Sequence, residues 1–201
     1  MADFTTQYVP VDIFNEVPEL KALFAFEEEH TLSYSGYFRI QASGQDEIDG
    51  WFAEGDARRR RLFVFGANVD GSWYALWRFP DLSLSDSPVV YIDSEDNGSY
   101  VLSNSPREFI GLLCLGVDEL GWSVREAGWP TQTQTVDSTK FRAWASATLG
   151  ILPIENPEQY VLEARASHPD FETWLNPVPA TSSALSARSL LTSGISSGLP
   201  F

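Results

Sequence analysis

The chain has 201 residues, room for one domain of ordinary size with a substantial core and a tail. Its 28 acidic and 13 basic residues leave a net charge of -15, a field that repels phosphate backbones and anionic membranes and attracts cationic proteins. Aromatic residues make up 13%, seven of them Trp, and this excludes a disordered acidic polypeptide, which lacks the bulky groups that offset ordering entropy.

The acidity therefore belongs to a folded surface, where it serves either a basic protein partner or solubility alone. Nucleic acid and membrane are not expected as partners. The opening Met1-Ala2-Asp3-Phe4 has neither a basic region nor an apolar run, and no segment is long enough to span a bilayer, so a cytoplasmic location is expected. The single cysteine, Cys114, lies in the apolar run 112–115 and reads as a small core residue.

In chain order, Pro18, Leu20, Leu23 and Phe24 have helical spacing and run into Glu27-Glu28-Glu29, so an amphipathic helix is expected. Those three carboxylates oppose the helix dipole and read as a solvated end or as recognition surface. Residues 34–41 read as a strand, and a second short strand is expected over 48–52. Arg58 to Arg61 form the one basic cluster, which reads as a gatekeeper before the apolar strand 62–67 rather than a nucleic-acid patch.

That strand and a second over 73–79 flank Asp70-Gly71, a dipeptide suited to the positive φ of a type I′ turn, and predict a hairpin. Within 73–79, Trp73, Ala75, Trp77 and Phe79 share one face while Tyr74, Leu76 and Arg78 share the other, as a central strand requires. A Ser- and Asp-rich loop, 80–88, leads to strands at 89–92 and 100–102 around Asn97-Gly98, a second hairpin. Ser105-Pro106-Arg107-Glu108 then supplies a capping hydroxyl, a first-turn Pro and a capping Glu, and Phe109, Leu112 and Leu113 continue a helix.

Two more helices are expected, from about Asp137 to Gly150 through Phe141, Trp144 and Ala145, and from Asn156-Pro157 to His168-Pro169. Phe171, Trp174 and Leu175 close this C-terminal helical layer. The expected whole is an α+β domain over 1–176, a central antiparallel meander of hairpins flanked by helices, followed by a mobile Ser- and Pro-rich tail over 177–201.

Candidate chemistry is sparse. Gly194-Ile195-Ser196-Ser197-Gly198 matches a nucleophile elbow in letters, but lacks the flanking strand and helix and a downstream His. Asp93 to Gly98 has the rhythm of half a calcium loop, yet Asn104 stands where a bidentate Glu belongs, and the Asn-Gly turn accounts for the same residues. His30, His168 and Cys114 are too few and too dispersed for a zinc site. No metal, cofactor or catalytic residue is assigned; only carboxylate pairs remain for acid/base work, and none stands out.

The stretches 62–76, Pro88-Val89-Val90-Tyr91-Ile92-Asp93-Ser94-Glu95 and Ser105-Pro106-Arg107-Glu108-Phe109-Ile110 together resemble the SMI1/KNR4 family, the SUKH superfamily. The shared pattern is a strand, a Gly-Asn-Gly-like turn, a Tyr-bearing strand, a Pro-Val-Tyr-x-x-Asp strand, a hairpin and a Phe-bearing helix. It covers roughly residues 60 to 115. Upstream, Pro18 to Glu29 departs from the Leu-Pro, Tyr and Phe-Leu pattern of the family's first helix.

The resemblance implies an α+β fold and, as for most bacterial members, service as an immunity protein. Such a protein neutralises a basic toxin, often a nuclease, by stoichiometric binding, with acids steering association and aromatics anchoring it. The residues expected to touch the partner are Asp70, Asp81, Asp86, Asp93, Glu95 and Asp96, otherwise ordinary turn carboxylates, with Trp73 and Trp77 as anchors or else core. The competing readings are a regulatory or scaffold member of the same family and, from another class, a hydrolase using a carboxylate pair.

Overall fold

The structure, a computed structural model, describes residues 11–30, 38–41, 45–95, 98–117, 120–121 and 136–177. The expected tail, the Ser196 motif and Asp96 lie outside these residues. The fold is α+β: five antiparallel strands in sequence order, β1 (Arg39–Ile40), β2 (Leu62–Ala67), β3 (Trp73–Trp77), β4 (Val89–Ile92) and β5 (Tyr100–Ser103), with helices on both faces. Both hairpins form as expected, with Gly71 at φ 91° and Gly98 at φ 108° in the left-handed region that favours glycine.

β3 is the middle strand, and its alternation sorts the core into two. Tyr74 and Leu76 point to one face, where they meet Phe65, Tyr91 and Leu102, while Trp73, Ala75 and Trp77 point to the other with Val64, Val90 and Val101. The first face is covered by α1 (Val11–Glu16), α2 (Pro18–Glu29) and α4 (Pro106–Leu113). Leu20, Leu23 and Phe26 are the buried residues of α2; Phe24 is only half-buried and packs on Phe14, with ring centroids 5.1 Å apart. The Ser105 hydroxyl caps α4 by accepting from the Glu108 N–H at 3.3 Å.

The expected strand over 48–52 is instead a helix, α3 (Gln45–Gly50). The edge of β2 that such a strand would have paired is satisfied by one side chain. Gln45 Nε2 donates to the Leu62 carbonyl at 3.2 Å, and Gln45 Oε1 accepts from the Val64 N–H at 2.9 Å. The same amide also donates to Asp49 one helical turn on, at 2.9 Å. β1 pairs with Gly66 and Ala67, the Gln41 N–H after it donates to the Phe65 carbonyl at 2.8 Å, and the Glu27 carboxylate accepts from the Ile40 N–H at 3.0 Å; of the strand expected over 34–41, residues 34–37 lie outside the described residues. Glu27 thus serves the sheet edge, unlike exposed Glu28 and Glu29. Gly66 is required by close approach, since a Cβ there would meet the Phe38 ring at 2.4 Å.

The C-terminal helices wrap the sheet. α5 (Thr139–Trp144), extended by a π-wound turn (Ala145–Leu149) and closed by Gly150 at φ 63°, buries Phe141 and Ala145 against the first face. α6 (Pro157–Ala166) lies along β5 and sends Val161 to one core and Ala164 to the other, so it covers the sheet's edge. Tyr160 fixes it: its hydroxyl donates to Glu108 Oε2 at 2.5 Å and accepts from the Asn104 N–H at 3.1 Å. Asn104 Oδ1 in turn lies 3.1 Å from His168 Nε2. α7 (Phe171–Leu175), capped by Asp170 accepting from the Thr173 N–H at 2.7 Å, closes the second face with Phe171 and Leu175. Among the described residues no helix is long and apolar enough to cross a membrane.

Candidate functional site

In a meander, alternate connections fall at the same end of the sheet. The β2–β3 turn with Asp70 and the β4–β5 turn with Asp93 and Glu95 are therefore neighbours, and hydrogen bonds join them. Ser94 Oγ donates to the Asp70 carbonyl at 3.1 Å, and the Ser94 N–H donates to Ser72 Oγ at 3.3 Å. Asp81 and Asp86 occupy the β3–β4 connection at the opposite end, about 17 Å away along the five residues of β3. There Ser83 caps a 3-10 turn, its Oγ accepting from the Asp86 N–H at 3.2 Å and its hydroxyl donating to Asp86 Oδ2 at 2.7 Å, while Ser85 ties the loop to α1 through the Glu16 carbonyl at 2.7 Å. The structure thus brings Asp70, Asp93 and Glu95 together and leaves Asp81 and Asp86 apart.

Asp70, Asp81, Asp86 and Glu95 are exposed, as expected of contact residues. Asp93 is not: it is only 5% exposed, and its Oδ1 accepts from the Glu95 N–H at 2.8 Å while its own N–H donates to Ser99 Oγ at 3.3 Å. The expectation of a solvated turn carboxylate is corrected, because α7 packs over this hairpin.

The two tryptophans are also corrected. Trp77 is fully buried among Phe79, Phe171 and Trp174, with ring centroids 4.7, 5.0 and 5.0 Å away, and Trp73 is 9% exposed. Both point from the central strand into the second core, so neither can anchor a partner.

Where α7 crosses the β4–β5 hairpin, a cleft of about 250 Å³ opens. Trp51 and Phe52 form its aromatic side, Asp93 and Ser99 come from the hairpin, and Glu172 and Asn176 come from α7 and its end. Glu172 is held at both oxygens: one accepts from the Ser99 N–H and the other from Asn176 Nδ2 at 2.9 Å. Trp51, at 47%, and Asn176 are exposed. Only Asp93 of this set was anticipated from the sequence. An exposed Trp directly after Asp49-Gly50 was the available signal for another.

Arg58 flanks the cleft. Its guanidinium lies 4.7 Å over the Phe52 ring, pairs with Asp56 at 2.6 Å and donates to the carbonyls of Trp174 and Leu175 at 3.4 and 3.0 Å. The hydrogen bond from Arg58 holds the Asp56 carboxyl below its ordinary value. Arg61 lies over the rings of Phe79 and Trp174 at 5.1 and 5.2 Å and donates to the Arg78 carbonyl at 2.9 Å; burial lowers its pKa. The cluster expected as a gatekeeper thus also clamps α7 to the sheet.

Among the described residues no group of three or more His, Cys, Asp or Glu side chains converges as a metal site would require. Compared with known proteins, the chain matches no family model, no curated protein and no solved structure.

Proposed function

We propose that the chain is a cytoplasmic immunity protein of the SMI1/KNR4 kind, which neutralises a basic toxin by binding it stoichiometrically and performs no chemistry of its own. The observation that carries this reading is the grouping of exposed Asp70 and Glu95 with the carboxylate-lined cleft at one end of the sheet. A negative patch of this kind accelerates encounter with a cationic partner and orients it before contact.

Arg58 pairs with Asp56 at 2.6 Å and Arg59 lies 4.0 Å from Asp49. The sheet that displays the patch is covered on both faces, and its two turns are bridged by Ser72 and Ser94, whose hydroxyls lie 3.4 Å apart. Little ordering entropy is then lost when the partner docks.

The test is co-expression with a basic toxin from the same genome, reading growth, followed by association kinetics with the purified pair. Growth should be rescued, and Asp70→Lys with Glu95→Lys should slow association about tenfold at low salt and flatten its salt dependence. Rescue that fails although the protein is folded, or rescue accompanied by turnover of a small molecule, would refute the proposal.

A further inference from the structure

The geometry points to the cleft between α7 and the β4–β5 hairpin as a receptor for one arginine side chain of a protein partner. Its size argues for a piece of a larger molecule. Pockets that enclose small-molecule ligands measure about 300–1,000 Å³, and this one, at about 250 Å³, is smaller. A single long side chain matches the space, whereas a nucleotide or cofactor does not.

Its chemistry argues for a cation with a flat face. Trp51, nearly half exposed, adds an aromatic surface to the lining, and Asp93 and Glu172 add two carboxylates. A guanidinium uses both features at once, stacking by its plane and donating in-plane N–H bonds to carboxylate oxygens. The protein itself supplies the precedent at the cleft's edge, where Arg58 lies over Phe52 and is held in-plane by Asp56.

The receptor is preorganised. Glu172 is fixed by Ser99 and Asn176, and Asp93 is held by the Glu95 N–H, so a guest need not order them. Each Glu172 oxygen accepts one of these hydrogen bonds, and a carboxylate oxygen can accept a second. Asp70 and Glu95, on the adjoining turns, draw a cationic segment towards the mouth. This inference rests on the binding reading above for the identity of the partner as a basic protein; the cleft's own preference is independent of it.

The experiment is a titration of the full chain with N-acetyl-arginine-N-methylamide, followed through the Trp51 indole and Asn176 amide resonances in nitrogen-15 correlation spectra at low salt. The citrulline analogue, equal in shape but uncharged, is the control. Arginine amide should shift both resonances saturably, citrulline amide should not, and Glu172→Gln should weaken binding about tenfold through loss of a charged hydrogen bond. Trp51→Ala, at an exposed position that should not disturb folding, should weaken it about two- to fivefold.

Equal shifts from citrulline, or undiminished binding by Trp51→Ala, would overturn the inference. No toxin enters this titration. A silent titration beside intact growth rescue removes the cleft alone, and failed rescue beside a Glu172-dependent titration removes the neutralising role alone.

Discussion

Truncation of Trp77 to Ala tests whether the central strand's tryptophan is a core wedge or a recognition anchor. The indole is fully buried and packs on three rings. Burying an aromatic of this kind removes about 150–250 Å² from water, which at about 25 cal/mol per Å² stabilises by about 4–6 kcal/mol. Ring pairing adds roughly 1 kcal/mol. Against this, the Trp77 Nε1–H is buried with no acceptor, a cost of about 1–3 kcal/mol that the substitution removes. The net loss is about 3–5 kcal/mol, the usual range for removing a core aromatic.

Urea unfolding followed by far-ultraviolet circular dichroism reads this loss without relying on tryptophan emission, which the substitution itself alters. With a slope of about 2–3 kcal/mol per M, the midpoint should fall by about 1–2.5 M. Trp77→Phe keeps a ring in place and drops the orphan N–H, so its loss should stay below about 2 kcal/mol. A Trp77→Ala protein with the parent's midpoint would refute the argument, and one that also lost its partner would restore the anchor.

Four further outcomes follow from other parts of the fold. Burial lowers the His168 pKa below its ordinary 6.5, so the unfolded chain binds the proton more readily. Its contribution to stability is complete above that value and is lost as pH falls towards the folded one; His168→Gln should flatten the fall in stability below the ordinary value, as unfolding midpoints measured across acid pH will show. Asp170→Ala removes the cap of α7 and should cost about 0.5–2 kcal/mol in the same unfolding assay, and the parent should lose this contribution in acid, because the Thr173 hydrogen bond lowers the Asp170 pKa. Arg142→Lys keeps the charge but loses the fork that donates to the Cys114 and Leu115 carbonyls at 2.6 and 3.4 Å, and should lower stability by about 1–2 kcal/mol. Burial pushes the Cys114 thiol up to about 11, so iodoacetamide at neutral pH should modify it only in denaturant, as mass spectrometry will read.

What the sequence revealed was the part of the fold fixed locally. Asp70-Gly71 and Asn97-Gly98 set two hairpins, Ser105-Pro106 starts a helix, and the alternation of β3 sorts residues to two faces through neighbours in the chain alone. The misread element, α3, turns on the Gln45 amide reaching Leu62 and Val64, a use of a polar side chain that periodicity does not encode. Asp93 was misread for a related reason. Turn chemistry places it in a hairpin loop correctly, but its burial depends on α7, whose Glu172 meets the Ser99 N–H across 73 residues of sequence. The cleft is legible only once those distant pieces meet, since Trp51, Asp93 and Glu172 share no motif.

The acidic surface gains its meaning from where the arginines go. Three of them finish helical segments other than their own: Arg58 donates to the carbonyls at the end of α7, Arg142 to those just past α4, and Arg107 to Leu149 and Gly150 at the close of the π-wound turn. Such positions combine unsatisfied carbonyls with the negative pole of the helix, so a guanidinium is favoured there over the surface. Arg61 and Arg165 lie over aromatic rings instead. Other cations, Lys21, Arg39, Arg60, Arg78 and Lys140 among them, are exposed. Asp70 and Glu95 are exposed beside a cleft that Asp93 and Glu172 line, the end of the sheet at which the proposed cationic partner would dock.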